Sequence, residues 1–259
     1  GNSPLCVAVS PDGTRLYVTN GLSNNVSVIN TATNTVLTVI TTVSSPGDVV
    51  VSPDGARAYV TNSITNTVSV INTATYAVAT LAVGTSPFGM AVSPDGTRLY
   101  VGNQGDDTIS VINTTTSAVA ATLTAGTTPS GLAVSPDGTR VYVANCNSGD
   151  VWVINTNSNT VVTALGLGSC PIGVAVSPDG RRVYVANNGD DTISIIDTAT
   201  NSVMATVQVG PSLIALGQFI GPAPAVSVPT LSHWTLLALA LLLGGLSAKL
   251  VQRNNKASI

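Results

Sequence analysis

The tetrapeptide Ser-Pro-Asp-Gly occurs five times along the chain at nearly constant spacing. The copies begin at Ser10, Ser52, Ser93, Ser135 and Ser177, so the intervals between them are 42, 41, 42 and 42 residues. A period of about 40 to 45 residues accommodates four short strands with their turns, and such a unit cannot bury both faces of its sheet alone. The spacing therefore predicts a tandem array of small sheets that pack side by side.

The third copy shows the strand pattern of one repeat. Gly89–Ser93 and Arg98–Val101 flank the turn Pro94–Gly96, in which proline presets φ and glycine takes the left-handed conformation that closes a hairpin. Two further β-rich runs, Asp107–Asn113 and Ala118–Leu123, complete four strands. The predicted fold is therefore all-β, a β-propeller of four-stranded blades with five repeats present.

The charge balance constrains the partners. All twelve acidic residues are aspartates, and up to Pro222 the chain carries only six arginines against them, which gives a formal charge of −6. Nucleic-acid binding needs clusters of lysine and arginine that neutralise phosphates. We therefore expect no nucleic-acid partner.

The second strand of each repeat carries a recognisable motif. Tyr17–Asn20 and Tyr59–Asn62 both have the sequence Tyr-Val-Thr-Asn, and the later copies keep the tyrosine, valine and asparagine. Over about residues 1–220 the chain resembles the YVTN family of β-propeller repeats. The resemblance implies a prokaryotic extracytoplasmic propeller, often of seven blades, that serves as a surface-layer, adhesive or binding module, with lactonases and redox-enzyme propellers as more distant relatives.

Two expectations follow for the ends of the propeller. A ring of seven blades would need more repeats than the five found, and the chain starts at Gly1 in mid-repeat, so we expect a truncated N-terminus whose missing part held an export signal and one or two blades. At the other end, Leu213–Ile220 has the pattern of a first strand of another blade. Unpaired, that strand would leave an open edge.

The pattern changes completely after the propeller, which we assign to residues 1–220. Residues 221–227 form a Pro/Ala linker, and residues 228–259 contain an uncharged Leu/Ala-rich run followed by Lys249, Arg253 and Lys256. At about 1.5 Å per residue, a helix over about residues 234–251 is roughly 27 Å long, close to the hydrocarbon thickness of about 30 Å. The run predicts one transmembrane helix with a cytoplasmic basic end.

This C-terminal segment resembles an IPTL-CTERM protein-sorting signal. The matching residues are Pro229, Thr230, Leu231, Ser232 and Trp234, whereas Val228 and His233 depart from the family pattern. The resemblance implies processing by an exosortase-like membrane enzyme of a Gram-negative bacterium, with membrane attachment before processing. A plain membrane anchor is the alternative, because its apolar span would look the same.

Three cysteines remain, and an exported protein permits disulfides. Cys146 follows a second strand and Cys170 precedes the next first strand, which places both loops on one face of a four-stranded blade. We therefore predict a Cys146–Cys170 bridge. Cys6 stands where other copies have glycine, at Gly89, Gly131 and Gly173, and is interpreted as a buried or channel-lining thiol.

Catalytic and metal-binding patterns are sparse. The one histidine, His233, belongs to the sorting motif, so the propeller region has no Ser-His-Asp or Cys-His set. Adjacent aspartates recur in one loop, where they shape the turn or, alternatively, bind a metal; they are Asp106, Asp107, Asp190 and Asp191. No cofactor is expected.

An arginine follows each Ser-Pro-Asp-Gly turn, and we expect it to bond the turn aspartate rather than to form a ring of anion ligands. These arginines are Arg15, Arg57, Arg98, Arg140 and Arg181.

A ligand site, if one exists, would lie at the channel end bordered by the loops after the second and fourth strands. The asparagines that end the second strands lie near this face, and they either bond their own turns or contact a ligand; they are Asn20, Asn62, Asn103, Asn145 and Asn187. Trp152 replaces a serine of the other copies and is a further candidate contact.

Two functional hypotheses remain open. The first is a non-catalytic binding or structural propeller with a protein or glycan ligand, located in the cell envelope, on the outer surface or in the extracellular matrix. The second is the propeller of a periplasmic enzyme, such as a lactonase-like hydrolase or a dehydrogenase subunit, with catalytic residues in the missing N-terminal part.

Overall fold

A computed structural model describes residues 1–42, 44–210 and 213 of the chain. The chain divides into two units, Gly1–Pro222 and Ala223–Ile259, and all described residues belong to the first. The linker 221–227, the transmembrane helix predicted at 234–251 and the sorting motif lie outside the described residues. Apart from Leu213, so does the strand predicted at 213–220.

The described residues form five antiparallel sheets of four strands each, in which sequential strands are hydrogen-bonded neighbours. This confirms the predicted all-β propeller architecture. The first strands of the five blades are Pro4–Val9 (β1), Pro46–Val51 (β5), Pro87–Val92 (β9), Pro129–Val134 (β13) and Pro171–Val176 (β17). The second strands are Arg15–Asn20 (β2), Arg57–Asn62 (β6), Arg98–Asn103 (β10), Arg140–Asn145 (β14) and Arg182–Asn187 (β18).

The outer half of each blade follows the same order. The third strands are Asn25–Asn30 (β3), Thr67–Asn72 (β7), Thr108–Asn113 (β11), Asp150–Asn155 (β15) and Thr192–Asp197 (β19). The fourth strands are Thr35–Thr41 (β4), Val78–Ala82 (β8), Ala118–Thr124 (β12), Thr160–Gly166 (β16) and Ser202–Gln208 (β20). The described residues contain one short 3₁₀ helix, Gly21–Ser23.

The Ser-Pro-Asp-Gly turns close the hairpins between first and second strands. In the first copy the Gly13 N–H donates to the Ser10 carbonyl over 2.8 Å, and Gly13 has a φ of +72°. The Asp12 carboxylate accepts the Ser10 hydroxyl at 2.5 Å and the Thr14 N–H at 3.0 Å. These hydrogen bonds, led by that of Ser10, lower the pKa of Asp12 to about 2.

The hydrophobic core lies between successive blades. One cluster joins Tyr17 and Val28 of the first blade to Val49 and Val60 of the second. Tyr17 is fully buried there. The next three interfaces between blades, which we call seams, repeat the arrangement. Because each seam buries side chains of two blades, the repeats stabilise one another rather than folding as independent sheets.

Candidate functional site

The first strands of all five blades line one small cavity, and this cavity is a candidate site. The third residue of each first strand occupies an equivalent position; these residues are Cys6, Asp48, Gly89, Gly131 and Gly173. At Gly89 a Cβ atom would lie 1.8 Å from the Ser130 carbonyl oxygen, and at Gly131 a Cβ would lie 2.4 Å from that of Ile172. Glycine is therefore required where neighbouring first strands come this close.

Asp48 is the exception at this position that carries a charge. Its side chain is only 6% exposed, and its two oxygens accept the N–H of Val49 at 2.8 Å and the N–H of Met90, in the third blade, at 2.9 Å. Burial raises its pKa to about 6, although these two N–H groups and the Cys6 thiol stabilise the ionised form. The carboxylate thus joins two blades in place of close backbone contact.

Cys6 lies beside Asp48 on the cavity wall and is 5% exposed. Its burial, with the Asp48 charge acting in the same direction, raises the pKa of the thiol well above its usual range. A thiol held protonated is a poor nucleophile. The structure thus agrees with the interpretation of Cys6 as a buried, channel-lining residue.

The cavity has a volume of about 10 Å³, which corresponds to about one water molecule. Its wall includes Cys6, Asp48 and Met90 together with Gly89 and Gly131. In the described part of the chain this space therefore accommodates a water rather than an organic ligand.

The backbone N–H groups of Cys6 and Asp48 each donate to a threonine hydroxyl. The Thr61 hydroxyl accepts the Asp48 N–H at 2.9 Å and donates to the Phe88 carbonyl of the next blade at 2.9 Å. Thr19 does the same for Cys6 and for the Gly47 carbonyl, at 3.0 and 2.7 Å. The threonine of the Tyr-Val-Thr-Asn motif is therefore a hydrogen-bond relay between blades.

The asparagines predicted to border a ligand face are buried, with exposures of 0 to 2%, and their Nδ2 groups donate hydrogen bonds inside the blades. Asn103 Nδ2 donates to the hydroxyls of Thr108 and Ser110, both at 3.0 Å. Corresponding in-blade bonds are made by Asn20, Asn62, Asn145 and Asn187. Of the two roles open for these residues, the geometry provides the bond within the blade.

Trp152 takes the position of the serine that accepts from the asparagine in the other blades. Its ring is half-buried against the core between the third and fourth blades. Its Nε1 donates to Asp150 Oδ2 at 3.0 Å, while Asn145 turns to Asp150 Oδ1 at 2.9 Å. Only the part of the ring that remains accessible is available to a partner.

The paired aspartates bind loop amides. Asp106 accepts the Thr85 N–H at 2.5 Å, and Asp107 accepts the Thr128 N–H at 2.8 Å. Asp190 and Asp191 repeat this with Ser169 at 2.6 Å and Leu213 at 3.3 Å. Among the described residues, no group of three or more His, Cys, Asp and Glu side chains is placed to hold a metal ion.

Near the same loops, Cys146 and Cys170 are joined in a disulfide, with Sγ atoms 1.99 Å apart and Cα atoms 3.8 Å apart. The bridge links the loop after β14 to the residue that precedes β17, so it crosses the seam between the fourth and fifth blades.

The expected arginine–aspartate bond needs correction. Nη1 of Arg15 donates to the Thr73 carbonyl at 2.5 Å, in the turn between the third and fourth strands of the next blade. Arg57, Arg98 and Arg140 make the equivalent bond to Thr114, Thr156 and Thr198. The position in the fifth repeat that corresponds to Arg15 is Arg182, which begins β18, and not Arg181. These arginines thus stabilise the seams between blades.

Sequence reasoning missed Asp48 and Thr61. The available signal was the replacement of glycine by Cys6 and Asp48 in the same two repeats that carry threonine in the second strand.

Within the described part of the chain, no helix combines the length and apolar character needed to cross a membrane.

Two family descriptions match this chain. Residues 1–116 and 46–169 match "Lactonase, 7-bladed beta-propeller", and residues 226–253 match the IPTL-CTERM motif. The second match covers the sorting motif predicted from Pro229–Trp234. No curated protein matches the chain.

Among solved structures, the chain is similar to hydrazine synthase from Kuenenia stuttgartiensis, with 28% identity and a TM-score of 0.72. The match covers 78% of this chain and 65% of that chain, so this chain spans slightly less than two thirds of the relative. A functionally unknown protein from Desulfotomaculum acetoxidans has the same fold, with 20% identity, a TM-score of 0.72 and coverage of 85% and 76%.

Proposed function

The chain belongs to the family of seven-bladed lactonase β-propellers, and from this premise we propose that it is a non-catalytic binding or structural module of the bacterial cell envelope or surface. The observation that carries the proposal is the IPTL-CTERM match at residues 226–253, directly after the propeller. A sorting motif fused to a propeller makes the propeller the part that is exported.

The proposed partner in sorting is an exosortase-like enzyme of a Gram-negative host. It would recognise the segment around Pro229–Trp234 while the apolar run after it is held in the membrane, and processing would release the propeller to the outer surface or extracellular matrix.

The described loops support binding rather than chemistry. The paired aspartates of these loops accept hydrogen bonds from neighbouring backbone N–H groups, as in the Asp107 to Thr128 bond, and this loop surface repeats from blade to blade. The axial cavity has room for about one water. A protein or glycan ligand that contacts several blades at once is the partner this surface fits, with the accessible part of Trp152 as an aromatic contact.

Localisation in the native host tests the proposal. The wild-type gene and a Pro229→Ala/Leu231→Ala variant are compared by protease treatment of intact cells, with a periplasmic protein as the control for lysis. We expect the wild-type propeller to be cleaved at the surface and the variant to be shielded. Equal shielding of both proteins would contradict surface sorting.

A second candidate is the propeller part of an enzyme. The observation that favours it is the 28% identity to hydrazine synthase, together with the family's lactonase description. Its test is a lactone-hydrolysis assay on the full-length native gene product. Turnover above that of the same host without the gene would favour the enzyme over the binding module, and no turnover would favour the binding module.

A further inference from the structure

One hydrogen bond recurs where the chain passes from blade to blade. An Asn or Asp in the loop between the second and third strands, with φ between +51° and +56°, accepts the N–H of a residue 20 to 22 positions later. The pairs are Asn24 with Ser45 at 2.8 Å, Asn66 with Ser86 at 2.9 Å, Asp107 with Thr128 at 2.8 Å and Asp191 with Leu213 at 3.3 Å. In the first three pairs the donor is the residue before a first strand. We call this bond the seam cap.

The seam between the fourth and fifth blades lacks this bond. The left-handed position is Gly149, with a φ of +69° and no side chain, and the residue 21 positions later is Cys170. No acceptor for the Cys170 N–H is found among residues 1–42, 44–210 and 213. Cys170 is instead bonded to Cys146, three residues before Gly149 in the same loop. The disulfide therefore joins the two loops that the seam cap joins elsewhere.

We propose that the Cys146–Cys170 disulfide substitutes for the missing seam cap, so that the two loops at this seam are joined by a bond that reduction breaks, whereas the equivalent loops at the other seams are joined by the cap hydrogen bond. A dithiol reductant would deliver two electrons and two protons to the two sulfurs. The S–S bond would break to give the thiols of Cys146 and Cys170, and the reductant would form its own disulfide. With neither the disulfide nor a seam cap present, the segment before β17 would open more often than the equivalent segments of the other blades.

The local geometry also shows how the cap could be restored. Asparagine tolerates the left-handed conformation that Gly149 already has, as Asn24 and Asn66 do. A Cβ at position 149 would lie 3.0 Å from the Gly168 carbonyl oxygen, so that carbonyl must move by a few tenths of an ångström. The glycines equivalent to Gly168 at the second and third seams are Gly84 and Gly126. At those seams the left-handed position carries a side chain, that of Asn66 or Asp107.

Hydrogen–deuterium exchange of the purified 259-residue chain tests this inference. Exchange is followed in the segment 167–172 and, as the internal control, in the equivalent segment 125–130, which Asp107 caps. The variants are Cys146→Ser/Cys170→Ser, the same double variant with Gly149→Asn, and Asp107→Ala. Serine is the residue at the equivalent positions Ser63 and Ser86. Wild type and the single variant Gly149→Asn are also measured with dithiothreitol.

We expect loss of the disulfide, by substitution or reduction, to speed exchange in 167–172 by about fivefold, the factor for one net hydrogen bond, and to leave 125–130 unchanged. Asp107→Ala should speed exchange in 125–130 and leave 167–172 unchanged. Gly149→Asn should restore slow exchange to the serine variant and to reduced protein.

If the disulfide acted only as a general cross-link, an asparagine at position 149 would not restore slow exchange after reduction. Fast exchange in 167–172 of reduced Gly149→Asn protein therefore overturns the proposal. Unchanged exchange after reduction of wild type also overturns it. The reduction arm keeps the test decisive if the serine variant does not fold.

Discussion

Asp48 should make the stability of the propeller depend on pH in an unusual direction. Burial raises its pKa from 3.8 to about 6, so between these values the folded state keeps a proton that the unfolded chain has released. Because the folded state then binds more protons, stability falls as pH rises through this window. Above about pH 6 both states are ionised, and the full cost of the buried charge is present.

The size of the effect follows from the shift. Two pKa units at about 1.36 kcal/mol each correspond to about 3 kcal/mol in total, of which about 2 kcal/mol develops between pH 4.5 and pH 7.5. The turn aspartates act oppositely, because their pKa is lowered, as for Asp12 at about 2. Their stabilising contribution is lost only as pH falls below about 4, outside this interval.

The assay is urea unfolding of wild type and Asp48→Gly at pH 4.5 and pH 7.5. Glycine is the residue that occupies this position at Gly89, Gly131 and Gly173. Its cost in backbone entropy and lost hydrogen bonds does not depend on pH, so it cancels when each protein is compared with itself. We expect wild type to lose about 2 kcal/mol more than Asp48→Gly on going to pH 7.5. Parallel pH dependence in the two proteins would refute the reasoning.

Three further contacts between blades are tested by substitution and denaturant unfolding. Gly89→Ala should lower the free energy of unfolding by about 3 kcal/mol or more, because its Cβ would lie 1.8 Å from a carbonyl oxygen. The control Gly166→Ala, with no atom within 4 Å of its Cβ, should stay within about 0.5 kcal/mol of wild type. Equal effects of the two substitutions would contradict the close approach at Gly89. Thr61→Val should cost about 1–3 kcal/mol by breaking the relay, and Thr61→Ser should recover most of it. Arg98→Met should cost about 1–3 kcal/mol through the lost bond to Thr156, and an unchanged unfolding midpoint would exclude a role at the seam.

The blade architecture could be predicted from the sequence because each repeat contains the residues that form its turns. The turn at Pro94–Gly96 and the β-rich runs beside it depend on residues close in sequence, and the 42-residue period repeats that information. The loops that carry Cys146 and Cys170 could be placed together for the same reason, since strand order within one blade fixes which end each loop occupies.

Contacts between blades could not be predicted in this way. Asp48 accepts from Met90 and Arg98 donates to Thr156, partners 42 and 58 residues away whose approach depends on how neighbouring sheets pack. A local reading therefore paired each arginine with the aspartate of its own turn, although its side chain reaches the next blade. The burial that raises the pKa of Asp48 is likewise a product of that packing.

The central claim, an exported propeller that is sorted through its C-terminal segment, is tested most directly by the mass of the mature C-terminus. The full-length gene is expressed in its native host, the protein is recovered from the cell surface and medium, and its terminal peptides are identified by mass spectrometry. The account predicts propeller peptides such as 141–181 without any peptide from 235–259. A surface or envelope product that retains the intact tail through Ile259 would contradict processing at the motif.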